Sequence, residues 1–378
     1  MRSNRDSNLL AIAAAFALVA AVPEAAASTQ AAPVPARTAS SLRDSRDATV
    51  TKLADTLEER YVFPDVAKKY AAMLRANMAA GRYSAIADNR AFAERVNADL
   101  RAVAFDGHLR LVPAPEKAGG PGGPGGGGRG KMPDAIQAQV RLPGNVAYVR
   151  YGVFTGQPDK LAAIQKFFAA NRDAKTVIID ARTHIGGGLS EMDVIFPYLF
   201  DKETVLLGLD RREGVPSPGE GPAVRGVAVS PPGVVRSEHF VTPAHGSPLA
   251  DAKVFVLASG RSASAAEHLV LSLRRTKRAT VIGETTLGAG NFGGFENFPG
   301  GFRTFVAVGR TFDPDTNKGW DYFGIAPDIT VPAKDALTEA LVRSGIARPQ
   351  AEALALQHGP KPEEVTSRRE APASVPGI

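Results

Sequence analysis

Thr176-Val177-Ile178-Ile179-Asp180-Ala181-Arg182-Thr183-His184-Ile185-Gly186-Gly187-Gly188 is the stretch on which the fold turns. Its first residues form a near-continuous apolar run, which predicts a strand buried on both faces. The glycines lead into Leu189 to Leu199, read as a helix, so the segment is a strand–loop–helix unit. The same order recurs on either side. Asn145 to Tyr151 reads as a strand followed by a helix from Asp159 to Ala170. Val254 to Ala258 is a strand leading into a helix from Ser264 to Leu273, and Ala279 to Gly283 is a further strand. Apolar strands alternating with helices predict an α/β domain whose sheet is covered on both faces. Leu206 to Thr242, rich in Gly, Pro and Val, reads as an insertion of short strands.

N-terminal to this core, residues 44–117 read as a helical module. Val50, Leu53 and Leu57 mark one amphipathic face, Val66, Tyr70, Met73, Leu74 and Met78 a second, and Phe92, Val96, Leu100 and Val103 a third. Tyr61-Val62-Phe63-Pro64 separates the first two helices, because proline fits only at a helix start, and Gly81 ends the second. The Gly-rich run at 118–131 reads as a plain linker to the core at 132–357, since it lacks the Lys-Ser/Thr ending of a phosphate cradle. Residues 1–27 have the pattern of a secretory signal: Arg2 and Arg5, an apolar run from Leu9 to Val22, then Ala25-Ala26-Ala27. Residues 28–43 read as a flexible leader and 358–378 as a frayed tail.

The chain has 378 residues, 44% hydrophobic and 22% charged, which is globular composition and excludes a disordered chain. A net charge of +6 is spread along the sequence without a dense basic run, so no nucleic-acid partner is expected. Cysteine is absent, which excludes disulfides, thiolate metal sites and a cysteine nucleophile. No cofactor or metal is expected, and no membrane span remains once the signal is removed.

Reactive groups in α/β sheets collect on loops beyond the carboxyl ends of strands. The Gly186-Gly187-Gly188 loop leaves backbone N–H groups uncovered before a helix, a setting that favours an anion or a transient oxyanion. In the loop after Ala258, Ser262 and Ser264 stand at a strand-to-helix turn. Either serine serves as an N-cap with Glu267 closing a capping box, or as an exposed nucleophile. A serine nucleophile needs a base, and His108, His184 and His268 are the candidates; His268 lies one turn past Ser264 and points along the helix.

Taken together, these motifs resemble the S41 peptidases, which include tail-specific C-terminal processing proteases, the tricorn core protease and the retinoid-binding-protein-like branch. The markers are Tyr61-Val62-Phe63-Pro64, Asp106-Gly107-His108-Leu109, Asp180-Ala181-Arg182 with Gly186-Gly187, Ser262-Ala263-Ser264-Ala265-Ala266-Glu267, Gly283-Glu284-Thr285-Thr286-Leu287-Gly288 and Gly324-Ile325-Ala326-Pro327-Asp328. The resemblance implies a crotonase-like α/β core and a serine endopeptidase acting on peptides or proteins, which the signal-like residues 1–27 would direct to export. It implies Ser264 as nucleophile, the amide of Ala265 with one from Gly186 or Gly187 as oxyanion hole, and His108 as base. The lysine base of processing proteases would stand at Ala289, so a Ser-Lys dyad is not expected. Asp321 takes the position of the tricorn-type carboxylate, and His184 that of a usual asparagine. No PDZ domain is expected between the module and the core. A non-catalytic binder of apolar ligands or peptides is the alternative on the same fold.

Overall fold

A computed structural model describes residues 39–114, 132–216 and 221–369. The expected signal peptide, residues 28–38 of the leader, the 118–131 linker and residues 370–378 lie outside the described residues. The chain opens with three helices: α1 (Ala39–Arg60), α2 (Pro64–Ala79) and α3 (Asn89–Val103). Pro64 starts α2, where its missing N–H costs nothing, and Asp88 caps α3 by accepting from the Ala91 N–H at 2.7 Å. The first helix begins at Ala39, which shortens the expected leader (28–43). No glycine or proline stands between Ala39 and Arg60 to delay the helix.

The elements that follow, in chain order, are β1 (Val112–Pro113), β2 (Ile136–Leu142), β3 (Val146–Tyr151), α4 (Pro158–Ala170), β4 (Thr176–Asp180) and α5 (Ser190–Leu199). Then come β5 (Thr204–Arg212), β6 (Val224–Gly226), β7 (Val234–Val241), β8 (Lys253–Ala258), α6 (Ala265–Arg275) and β9 (Thr280–Gly283). The chain continues through β10 (Asn291–Phe298), β11 (Phe302–Phe312), β12 (Ile329–Thr330), α7 (Ala336–Arg343) and α8 (Arg348–His358).

Two sheets result. One has the order β12-β9-β8-β4-β3-β2, parallel except for β2 against β3. Its strands alternate between two cores, which is why they read as continuous apolar runs. Val177, Ile179 and Val256 pack with Ile164, Phe168, Phe196 and Leu269 of α4, α5 and α6. Ile178, Phe255 and Leu257 pack with Leu337 and Leu341 of α7 on the other face. Each such buried side chain contributes about 1.5–3 kcal/mol. The other sheet, β1-β11-β5-β7-β6 with β10 also on β11, is antiparallel and contains the strands expected as an insertion. Its Phe302, Phe305 and Val306 share a core with Val50, Leu53, Leu57, Tyr70, Phe92 and Leu100 of the helical module. The module therefore packs directly on this sheet.

The tail differs from its expected frayed state as far as Arg369. Val365 is buried, the Arg368 N–H donates to the Gly260 carbonyl at 3.3 Å, and Arg369 donates to the Phe323 carbonyl at 2.8 Å. A buried apolar side chain and backbone pairing outweigh the helix-poor composition there. Among the described residues, no helix is long and apolar enough to cross a membrane.

Candidate active site

Strands β4 and β8 are parallel neighbours, so the loops beyond their carboxyl ends lie side by side. Those loops are stitched together by polar contacts. The Ser259 hydroxyl donates to the Arg182 carbonyl (2.6 Å), Ser262 to the Ala181 carbonyl (2.7 Å), and the Ala263 N–H to the His184 carbonyl (3.1 Å). Ser262 is thereby engaged, while Ser264 stands at the start of α6 with φ 56° and ψ −118°. A non-glycine residue in that region costs about 1–3 kcal/mol and persists only where its surroundings over-determine it. Here the clamp is Glu267, whose carboxylate accepts from the Ser264 N–H at 2.9 Å. The Ser264 side chain makes no cap hydrogen bond, and the Ala265 N–H has no hydrogen-bond partner among the described residues.

The glycine loop lies against this turn. A Cβ on Gly186 would sit 2.9 Å from the Ser264 Cβ and 3.3 Å from its Oγ. Gly186 and Gly187 have φ of 118° and 127°, and a Cβ on Gly187 would collide with the Phe154 carbonyl. Both positions therefore require glycine. Their amides differ. The Gly186 N–H donates to His184 Nδ1 at 3.0 Å, whereas the exposed Gly187 N–H has no partner among the described residues.

His184 is fully buried, edge-on to Phe154 with ring centroids 4.2 Å apart. Burial pushes its pKa down to about 3, so the ring is neutral at physiological pH. With Nδ1 accepting from Gly186, the proton sits on Nε2. A folded chain that resists protonation loses stability as pH falls below the unfolded pKa of about 6.5, by about 1.4 kcal/mol per pH unit. His184→Asn keeps an acceptor for Gly186 without a titrating ring. Relative to that variant, the unmodified chain is expected to lose about 2 kcal/mol between pH 6.5 and 5, read from urea melts. Parallel pH profiles for the two proteins would contradict this.

His108 follows α3 in a turn built on Asp106. The Asp106 Oδ1 accepts from the N–H groups of His108 (2.7 Å) and Leu109 (3.2 Å), and its Oδ2 accepts from the Tyr61 hydroxyl (2.8 Å). The Asn97 side chain holds the next residues by a two-way pairing with Leu111. Thus the Tyr61-Val62-Phe63-Pro64 corner, spaced far away in sequence, sets the orientation of the histidine turn. His108 Nδ1 lies 3.6 Å from Asp321 Oδ1 and 3.8 Å from Asp106 Oδ1, with the side chain only 4% exposed. Among the described residues, neither ring nitrogen makes a hydrogen bond, so no bond joins His108 to Ser264 in this structure. Burial lowers the His108 pKa, but the carboxylates of Asp321, Asp106 and Glu267 outweigh it, and the net shift is upward. Asp321 is fixed by the buried Trp320 beside it and by the Gly290 N–H, which donates to its Oδ1 at 2.9 Å.

Glu267 connects these parts. Besides the Ser264 N–H, its carboxylate accepts from the Thr286 hydroxyl (2.6 Å) and the N–H groups of Gly288 (2.7 Å) and Ala289 (2.8 Å). Burial raises its pKa against the pull of these donors. The loop at 286–290 in turn touches both halves of the histidine assembly, Gly288 lying beside Gly107 and Gly290 beside Asp321. His268, the remaining rival, turns away and bonds His239 Nδ1 through Nε2 (2.8 Å), with His239 on Asp193 (3.0 Å). Asp106, His108 and Asp321 offer ligand atoms within 4.8 Å of one another, a set with the spacing for a metal ion. The Oδ1 atoms of both acids already accept backbone N–H groups, which accounts for their placement without one. Sequence reasoning missed Tyr61, Asp106 and Glu267 as positioning groups. Only the Ser-x-x-Glu spacing of the capping box pointed toward the last.

Residues 145–331 match the model of peptidase family S41, and residues 32–125 match the N-terminal domain of peptidase S41 in eukaryotic IRBP. The chain is 29% identical over 175 residues to the chloroplastic carboxyl-terminal-processing peptidase 3 of Arabidopsis thaliana, covering 46% of this chain and 29% of that protein. It is 28% identical over 191 residues to a carboxyl-terminal-processing protease of Picosynechococcus sp., covering 50% of this chain and 39% of the relative. The chain thus spans well under half the length of these relatives. A solved structure from Parabacteroides merdae, described as a candidate peptidase, superposes with a TM-score of 0.50 at 18% identity, covering 83% of this chain and 96% of that one. With its core and its N-terminal helical part matched by two models of one family, the chain belongs to peptidase family S41.

Proposed function

We propose that this chain is an exported serine endopeptidase with a crotonase-like core and no PDZ domain, hydrolysing peptide bonds through Ser264, His108 and Asp321. Ser264 attacks the scissile carbonyl while His108 takes its proton and later delivers it to the leaving amine. Asp321 stabilises the imidazolium, with Asp106 fixing the turn that carries it. The N–H groups of Gly187 and Ala265 hold the oxyanion, a contribution of about 3 kcal/mol per donor. Gly186 acts one step back, since its amide is committed to His184. Substrate binding closes the gap between Ser264 and His108, as catalytic hydrogen bonds in free enzymes are often long.

The observation that carries this reading is the strained Ser264, held at positive φ with its hydroxyl unused as a cap, beside an Ala265 amide that has no partner among the described residues. A helix cap needs no such strain. The signal-like residues 1–27 support export. A fluorophosphonate probe tests the reading: it is expected to label Ser264 and to leave the Ser264→Ala chain unlabelled. An unlabelled but folded wild-type chain would favour the non-catalytic binder of peptides or apolar ligands.

A further inference from the structure

The two segments that supply the histidine and its carboxylate also carry a cluster of accessible aromatic rings. Phe105 immediately precedes Asp106 and is 38% exposed; Phe323 follows Asp321 by two residues and is 51% exposed. Between them lies Tyr322, whose ring centroid is 4.3 Å from that of Phe105 and 5.2 Å from that of Phe323. Three rings thus form a continuous ledge, two of its members among the few large apolar side chains left exposed among the described residues.

The backbone holds the ledge at a cost. Tyr322 has φ of 69°, a region a bulky residue rarely adopts. Its N–H donates to the Gly288 carbonyl at 2.7 Å, and Phe323 is tied through its carbonyl to Arg369. Strain of this kind is retained where a particular side-chain presentation is used. Position determines what the ledge faces. The base of an acyl-transfer site must reach both the nucleophile and the leaving nitrogen, so the surface beside His108 borders the residues that follow the scissile bond.

We propose that Phe105, Tyr322 and Phe323 form a subsite that receives an apolar side chain, aliphatic or aromatic, one or two residues after the scissile bond. This rests on His108 being the base, and it adds a substrate preference to that assignment. Contact with the ledge orders the segments bearing His108 and Asp321 together, because Phe105 stands three residues before His108 and Tyr322 and Phe323 one and two residues after Asp321. Removing such an apolar contact is expected to change discrimination about tenfold.

The experiment uses the full chain and three readouts. Internally quenched peptides carrying Leu or Phe, against Gly or Ser, at the first and second positions after the cleaved bond are expected to show a preference of about tenfold in kcat/KM. That preference is expected to fall below about twofold in Phe105→Ala and Phe323→Ala. Hydrolysis of an N-acyl amino-acid ethyl ester, whose leaving group is only ethanol, is expected to stay within about twofold in both variants. Retention of the full apolar preference in both variants would overturn the subsite. So would a parallel loss of ester and peptide rates, which would mean that the rings only support the fold. Independently of turnover, a tripeptide beginning with Leu is expected to bind the Ser264→Ala chain about tenfold more tightly than the same chain carrying Phe105→Ala. Equal binding there would overturn the ledge, while absent ester hydrolysis together with preferential binding would overturn only the catalytic assignment. Concentration-dependent dimerisation abolished by Phe323→Ala would instead assign the ledge to a second copy of the chain.

Discussion

Peptide hydrolysis by the Ser264→Ala chain is expected to fall by about five orders of magnitude with no loss of thermal stability. The side chain makes no cap hydrogen bond, so its removal leaves the helix start intact, with Glu267 still closing the turn. Alanine also carries the same backbone strain. His108→Ala is expected to lose a comparable factor, and the double variant to be no worse than either single one, because a nucleophile and its base, as proposed for this pair, act as a unit. The pH profile separates the roles. As the proposed base, His108 has to be neutral to accept a proton, so kcat/KM is expected to rise as pH rises through its pKa. The nearby carboxylates raise that pKa against the effect of burial, which places the rising limb above the ordinary value of about 6.5. In His108→Ala the residual rate is expected to lack this limb. A wild-type limb retained in His108→Ala, or undiminished turnover by Ser264→Ala, would reject the assignment.

The second large effect is on stability. Arg182 and Asp180 form a buried ion pair with two parallel bonds, Nε to Oδ1 at 2.9 Å and Nη2 to Oδ2 at 2.6 Å. The Tyr148 hydroxyl donates to the same carboxylate at 2.8 Å, and Arg182 Nη1 reaches the Ala333 carbonyl at 2.7 Å. Burial raises the Asp180 pKa, yet Arg182 and these donors hold it below the usual carboxylate range. Arg182→Met strands that charge in the core and is expected to cost about 3–5 kcal/mol, measured by urea unfolding. Asp180→Asn combined with Arg182→Met is expected to recover a good part of the loss, since no buried charge then remains unpaired. If the single variant costs less than about 1 kcal/mol, the pair is not what anchors the start of the glycine loop.

The core was readable because its physical determinants are local in sequence. Val177, Ile178 and Ile179 are apolar without a break, since successive side chains of β4 face different cores. The same holds for the module, where Pro64 and the spacing of Val50, Leu53 and Leu57 mark the helices and their inward face. The β10–β11 hairpin was not legible. Gly293, Gly294, Gly300 and Gly301 interrupt its apolar pattern, and its pairing is with residues the local sequence does not specify.

In the candidate site, Ser264, His108, Asp321, Ala265 and the glycine pair could be singled out, but not their hydrogen-bond partners. That Gly186 spends its amide on His184 while Gly187 does not depends on where a ring buried against Phe154 comes to rest. That Glu267 ties the serine turn to the loop at Gly288 and Ala289 likewise depends on contacts across the fold. The amino-acid order by itself determined the strand–helix alternation, the helical module and the chemical types available at each loop, because periodicity and turn chemistry act over a few neighbouring residues. Only the tertiary structure decided which amides remain unpaired, which carboxylate faces His108 and which aromatic rings stay exposed beside it, because each is settled by burial and by competition for partners far apart along the chain.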